Sequence, residues 1–196
     1  AQSTPAAYAD IIANHAQRAS RVVEDLLAYA RKDQCSGETC AVNAMIKELI
    51  DAFIHCRLRR YGIDVELQLA EPEPLAEGGC GEVDIVLTNV ISNAIQALAR
   101  VPEPKIVVGT RREGASVVIA VADNGPGVPP DARARLFDPF FTSKEVGQGS
   151  GLGLFISQAL VTRRGGRIDF DASHAGGARF LIRMPAVQTE RLREAA

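Results

Sequence analysis

Two asparagines four residues apart, Asn89 and Asn93, open a set of residues suited to a phosphorylated ligand. They lie in a stretch, residues 82–99, where Val83, Leu87, Val90, Ala94 and Leu98 recur at helical spacing. Asn89, Asn93 and Gln96 therefore share a polar stripe on the same helix. Asn is a poor helix-interior residue because its amide competes for backbone partners, so two on one stripe fit either plain surface or a task for those amides. Asp123 ends the apolar run 117–122 and opens Asp123-Asn124-Gly125-Pro126-Gly127. A carboxylate so placed can accept a hydrogen bond from the exocyclic amine of adenine, where guanine presents a carbonyl. Gly125 and Gly127 let backbone approach a ring without Cβ clashes. By itself this is equally an ordinary turn between strands.

Next come Phe137-Asp138-Pro139-Phe140-Phe141 and Thr142-Ser143-Lys144, an aromatic cluster against polar residues. The aromatics fit either core or the hinge of a flap. Lys144 fits either a phosphate contact or a solvated surface. In Gly147-Gln148-Gly149-Ser150-Gly151-Leu152-Gly153-Leu154 the glycines alternate with other residues and lead into a helical stretch. Such a backbone can turn several N–H groups inward around phosphates, and the helix adds its positive N-terminal end. The loop lacks the Gly-Lys-Ser/Thr ending of a P-loop. In this order the four segments read as one nucleotide site.

Together they resemble the N, G1, F and G2 boxes of the sensor histidine kinases, within the GHKL superfamily of gyrase, heat-shock chaperone ATPases and MutL (the Bergerat fold). The resemblance covers roughly residues 41–185 and implies ATP and Mg²⁺ as ligands. It makes Asn93 the Mg²⁺ ligand, a role in which a neutral carbonyl oxygen suits a hard cation, and puts Asn89 near the phosphates. It implies nucleotide contacts at Asp123, Gly125 and Gly127, at Phe137, Phe140, Thr142 and Lys144 of the flap, and at Gly149, Ser150, Gly151, Leu152 and Gly153. Asn89, Asn93 and Lys144 are then the catalytic set, and the lid between the last two boxes is short. One departure stands out. The family often has Gly-Thr-x-Phe near its C-terminus, where the Thr supports adenine, and this chain has Gly177-Ala178-Arg179-Phe180.

Hydrolytic members place a Glu four residues before the metal-binding Asn to activate water. Here that position is Asn89, which argues for a kinase over a hydrolase or chaperone, since phosphoryl transfer needs mainly positioning and charge neutralisation. The expected activity is protein-histidine kinase, with a response regulator receiving the phosphoryl group. The family's acceptor His is typically followed by Glu and, a few residues on, Pro. His15, His55 and His174 do not stand in that context, so the acceptor is expected outside this chain. The alternatives are a non-catalytic interaction module of the same fold and a protein-serine kinase of the same superfamily.

The surrounding elements read as follows. Thr4-Pro5 suits a helix start, and Ile12, Ala16, Ala19, Val23, Leu26 and Ala30 continue a helical stripe to about Lys32. A second stripe beside it makes this face too apolar for a lone helix, so pairing between chains is expected. The segment resembles the second helix of the histidine-kinase dimerisation hairpin and implies a homodimer. A helix is expected over 42–61 with Gly62 as its stop, strands over 63–69, 105–110, 115–122, 167–172 and 178–184, a hairpin turn at 111–114, and a helix over 151–163. This mixture predicts an α+β fold, and the resemblance implies a two-layer sandwich with a mixed, largely antiparallel sheet, preceded by the long N-terminal bundle helix. The expected divisions are 1–33 for that helix, 34–40 for a polar linker, 41–186 for the ATP-binding domain and 187–196 for a charged tail.

Against 22 basic residues stand 24 acidic ones, a formal charge of −2. That balance offers no basic field for nucleic acid. No apolar run approaches membrane-spanning length, so a cytoplasmic fragment is expected, from a parent that a membrane segment upstream could anchor. The chain begins at Ala1 without Met, in keeping with a fragment. Cys35, Cys40, Cys56 and Cys80 form no Cys-x-x-Cys pair and are expected as reduced thiols. The sharper alternative is a redox pair of Cys35 with Cys40.

Overall fold

The computed structural model describes residues 39–53, 58–142 and 150–188. The chain runs through β1 (Thr39–Ala41), α1 (Val42–Phe53), the single turn α2 (Arg59–Tyr61), β2 (Asp64–Gln68), β3 (Leu75–Glu77) and α3 (Cys80–Ala97). It continues through β4 (Lys105–Glu113), β5 (Ser116–Asp123), the short α4 (Pro130–Arg133), α5 (Gly153–Arg163), β6 (Arg167–Phe170) and β7 (Arg179–Pro185). The expected bundle helix and the end of the charged tail lie outside the described residues. None of the described helices is long and apolar enough to cross a membrane.

Five strands form one sheet in the order β2-β4-β5-β7-β6. Only β2 with β4 is parallel; the other pairs are antiparallel. Helices α1, α3 and α5 bury Ile46, Leu87, Ile91, Ile156 and Leu160 in one core with Ile106, Ile119 and Ile182 of the sheet. This is the expected two-layer α+β sandwich with a mixed, largely antiparallel sheet. Strict alternation of buried and half-buried residues along β7 shows why a strand forms there: period 2 puts Phe180, Ile182 and Met184 on the core face.

Several boundaries differ from the sequence expectation. The β4–β5 turn is narrower than 111–114, because the strands extend to Glu113 and resume at Ser116. Gly114, at φ +59, supplies the left-handed backbone that so tight a connection needs. Gly62 does stop the preceding helix, with φ +61 and its N–H donated to the Arg59 carbonyl. Thr39 and Cys40, read as the end of a linker, instead belong to β1, which pairs antiparallel with β3. That ladder adjoins the main sheet through a bridge between Ala76 and Ala186.

The expectation of four reduced thiols is also corrected. Cys40 and Cys80 form a disulfide with Cα atoms 4.9 Å apart across a sequence separation of 40. The sequence offered no short spacing to reveal it, because β1 and the start of α3 meet only through the fold. Cys35 and Cys56 lie outside the described residues.

Two polar clusters set how the helices sit. Thr110 Oγ1 donates to Asn43 Oδ1 at 2.7 Å and accepts from the Ala70 N–H at 2.9 Å, while Asn43 Nδ2 donates to the Ala70 carbonyl at 2.9 Å. This closed set ties α1 to β4 without leaving a buried polar group unpaired. At the other cluster the Glu82 carboxylate, in the first turn of α3, is gripped by Arg163 and by Arg164 Nε, the latter at 2.5 Å. Burial is the largest single influence on Glu82 and raises its pKa. The hydrogen bonds and charges of Arg164 and Arg163 together outweigh it and hold the carboxyl below its ordinary 4.5.

Because the folded pKa is depressed, the stability from Glu82 is fully present above pH 4.5 and is lost as pH falls through the lower folded value. Glu82→Gln should therefore lower stability near neutral pH by ~2 kcal/mol and flatten the acid-side decline. Thermal unfolding of both proteins from pH 7 to pH 3 checks this; parallel curves would remove the role given to Glu82.

Candidate nucleotide site

Asp123 is the last residue of β5 and is only 7% exposed. Its Oδ1 accepts the Gly125 N–H at 2.9 Å and the Ala178 N–H at 3.1 Å. No hydrogen bond from a described residue reaches Oδ2 of Asp123, so that oxygen stays open for an external donor. Burial pushes the carboxyl pKa up; the two amides and the nearby His174 oppose this without cancelling it. The carboxylate is thus held at a desolvation cost by two fixed donors.

The second donor explains the departure in the Gly-Thr-x-Phe region. Ala178 has no hydroxyl, but its backbone N–H serves Asp123, and the Asp123 N–H returns a bond to the Ala178 carbonyl at 2.9 Å. So close a crossing requires glycine just before it. Gly177 has φ +138, and a Cβ there would lie 1.9 Å from the Asp123 carbonyl oxygen. The loop that delivers Ala178 is closed at its base: Arg179 Nε donates to Asp171 Oδ2 at 2.9 Å, and the Ser173 N–H and Oγ both donate to Asp171 Oδ1. These bonds, from Ser173 and then Arg179, hold the Asp171 carboxyl well below the usual carboxylate range. The sequence reading missed the Asp171–Arg179 pair that closes this loop. Its signal was available: an acid and a base, Asp171 and Arg179, bracket the Gly-Gly pair.

On α3, Asn89 faces α5. Its Nδ2 is 3.2 Å from both the Gly153 carbonyl and Ser157 Oγ, and Ser157 Oγ itself donates to the Gly153 carbonyl at 2.8 Å. Asn89 therefore fastens the metal-and-phosphate helix expected from the sequence to the start of the helix that follows the glycine loop. Ser157, fully buried, is a partner the sequence reading missed. Asn93 stands one turn further along the same face and is half-buried.

The aromatic segment divides. Phe137 packs on the core, whereas Phe140 is 71% exposed and has φ +64. Phe141 is covered by the Arg135 guanidinium, 4.7 Å from its ring centre. Gly151 joins this segment to the glycine loop: at φ +69, a Cβ there would sit 2.4 Å from the Phe140 carbonyl carbon. Ser150 Oγ accepts the N–H of the buried Leu152 at 3.2 Å, turning the chain into α5. Gly127 approaches the Gly177 carbonyl, closing the Asp123 side. Thr142 is exposed. Lys144 and Gly149 lie outside the described residues.

Residues 81–188 match the family of histidine kinase-, DNA gyrase B- and HSP90-like ATPases. The chain belongs to this ATPase family. Membership carries ATP use with it. The family match begins in the first turn of α3, so β1, α1, β2 and β3 lie before it. The chain is 32% identical over 176 residues to the C4-dicarboxylate transport sensor protein DctB of Rhizobium meliloti (strain 1021), which covers 88% of this chain and 27% of that protein. It thus spans about a quarter of the length of the curated relatives it matches first. Among solved structures, the nucleotide-free catalytic domain of the histidine kinase ThkA aligns with a TM-score of 0.68 at 27% identity, covering 76% of this chain and 95% of that domain. ThkA in complex with the response regulator protein TrrA aligns with a TM-score of 0.75 at 23% identity, over 95% of this chain and 53% of ThkA; at that identity it shows the fold alone.

The close crossing at Gly177 makes a direct prediction for this ATPase domain. Gly177→Ala forces the Asp171–Ala178 loop away from Asp123 and should weaken ATP binding at least ~10-fold, with a stability loss of ~1–3 kcal/mol from the unfavourable backbone conformation. Calorimetric titration and thermal unfolding measure the two effects; wild-type affinity would show that the crossing does not shape the base pocket.

Proposed function

We propose that this chain is the ATP-binding catalytic part of a two-component sensor histidine kinase. It would bind ATP with Mg²⁺ and present the γ-phosphate to a histidine carried outside this sequence, for onward transfer to a response regulator. The observation that carries the reading is Asp123. One of its oxygens is pinned by two backbone amides, the other is left open, and the carboxylate is buried where only a matched donor such as the adenine amine can repay its desolvation.

Asn89 supports transfer over hydrolysis. Hydrolytic relatives carry a Glu at this position, and here the side chain is a neutral amide bonded to Gly153 and Ser157. An amide cannot take a proton from water, so the domain would position phosphate without activating a nucleophile of its own. Among the described residues no group of three His, Cys, Asp or Glu side chains is placed to hold a metal. A cation here would instead rest on the Asn93 carbonyl oxygen together with nucleotide oxygens and water, the coordination Mg²⁺ favours. Mg²⁺, when bound, supplies neutralisation of the phosphate charge. Lys144, Thr142 and the glycines at 149, 151 and 153 would complete the phosphate side, and Phe137 and Phe140 would flank the nucleotide.

The solved complex of ThkA with TrrA supports a response-regulator partner. Pairing of two chains through residues 1–33, by Ile12, Ala19, Val23 and Leu26, completes the proposal, together with a cytoplasmic site of action beneath a parent that is membrane-anchored or free.

Two measurements on this chain test the reading. Calorimetry with ATP and Mg²⁺ should show binding that Asp123→Asn weakens by ~100-fold or more, while thermal stability stays level or rises, since the burial that raises the Asp123 pKa penalises only the charged form. Unchanged affinity in the variant would sink the adenine assignment. γ-Labelled ATP should bind without covalent labelling of this chain. Acid-labile label on His15 would make the chain a complete kinase, and acid-stable label would move it to the serine kinases.

A further inference from the structure

We infer that the Cys40–Cys80 pair is a thiol–disulfide modification site that couples reducing conditions to the way the N-terminal segment is attached to the nucleotide-binding helix. Cys40 sits in the middle of β1 and is fully buried; Cys80 is the first residue of α3 and is half-buried. The bond joins β1, which precedes the family match, to the helix that bears Asn89 and Asn93.

Three features make this bond consequential. First, β1 is weakly held without it. Its ladder with β3 is three residues long, and the chain beyond it is pinned by the Val42 N–H on the Pro74 carbonyl at 3.2 Å and the Ala44 N–H on the Glu73 carboxylate at 2.9 Å. Second, the first turn of α3 carries two fastenings, the disulfide toward β1 and Glu82 toward Arg163 and Arg164 of the α5 end. Only the first is removed by reduction. Third, the two cysteines differ in burial, Cys40 being fully buried and Cys80 half-buried. A thiolate from a dithiol reductant can attack Cys80 Sγ. The Cys40–Cys80 bond breaks, and the electron pair leaves on Cys40, which takes up a proton. The reductant's second thiolate then attacks the mixed disulfide, becomes oxidised to a disulfide and releases Cys80, which is protonated in turn. Oxidised glutathione restores the bond: the Cys80 thiolate attacks it and releases one reduced glutathione, and the Cys40 thiolate then attacks the mixed disulfide and releases the second.

The inference rests on the ATP reading in one respect. ATP use places the domain where thiols are kept reduced, and disulfides in such compartments are usually transient and regulatory. The base pocket is separated from the site. Asp123 and Gly125 neighbour Ala97 and Leu98, at the opposite end of α3 from Cys80 and roughly 25 Å away along the helix. Reduction should therefore loosen β1 and its junction with α1, while α1 itself stays tied to β4 by Asn43 and Thr110 and to the core by Ile46 and Ile50, and nucleotide affinity should be spared.

The test equilibrates the chain in graded mixtures of reduced and oxidised glutathione, traps free thiols with iodoacetamide and maps the modified cysteines by mass spectrometry. Amide exchange and ATP calorimetry are measured on the same samples. Cys40 and Cys80 should pass reversibly and together from bonded to alkylated. On reduction, exchange protection over residues 40–44 should fall about 10-fold, and ATP affinity should change less than about threefold. Cys80→Ser should reproduce the reduced exchange pattern without reductant, which separates this pair from Cys35 and Cys56. A bond that survives excess reduced glutathione, a pair alkylated in every mixture, or exchange over 40–44 that ignores the redox state would each overturn the inference. Failure of the ATP reading is seen separately, as absence of nucleotide binding in both redox states.

Discussion

The structure of the candidate site depends on one buried carboxylate and the amides that hold it. Asp123 can remain charged at 7% exposure only if donors are in place before any ligand arrives. Those donors come from two directions: Gly125, two residues on, and Ala178, fifty-five residues on. The second fixes much of the fold. It requires β7 to lie beside β5 in the observed register, Ala122 opposite Arg179, and the loop before β7 to cross over the end of β5. Only then does Gly177 pass within reach of the Asp123 backbone. The Asp171–Arg179 pair holds that loop closed from its base.

The phosphate side is built differently. There the constraint is the seating of α3 on α5, and Asn89 is the contact that sets it. Its amide spans to the Gly153 carbonyl and to Ser157, so the helix following the glycine loop begins at a fixed distance from Asn93. Glu82 repeats the arrangement at the other end, where it grips Arg163 and Arg164. Two polar fastenings, with Val86 of α3 beside Leu160 of α5 between them, resist both sliding and splaying of the helices. Asn89 thus acts in the structure as a tie between two helices, through a neutral amide that cannot serve as a base.

Much of this was legible in the sequence, for physical reasons that differ by residue. The apolar stripe from Val83 to Leu98 declared α3, because burial imposes a helical period, and the alternation at 63–69 with the β-branched runs at 105–110 and 115–122 declared strands of the sheet. Asp123, Gly125 and Gly127 were legible as a local cluster. Ala178 was misleading, since its side chain departs from the family while its backbone N–H makes the contact, and no substitution pattern reports a backbone amide. Ser157 and the Asp171–Arg179 pair were hidden because each derives its role from a partner reached through tertiary structure. The same holds for β1 and β3. Three-residue strands carry no period to detect, and Cys40 next to a Gly-containing polar run looks like linker until the fold brings Cys80 to it.

The segments before residue 80 give the domain its asymmetry. The family match covers the site and its sheet, yet β1 and β3 form a separate ladder that closes on the end of β7 through Ala76 and Ala186. Asn43, at the start of α1, reaches Thr110 of β4 and the Ala70 carbonyl, so α1 is anchored to the sheet by buried polar bonds as well as by Ile46 and Ile50. A chain entering at Thr39 therefore meets α3 covalently and the sheet through hydrogen bonds. Asp123, by contrast, takes its amides from the turn after β5 and the loop before β7, so the contacts made by β1 and α1 and those made by the buried carboxylate belong to different elements.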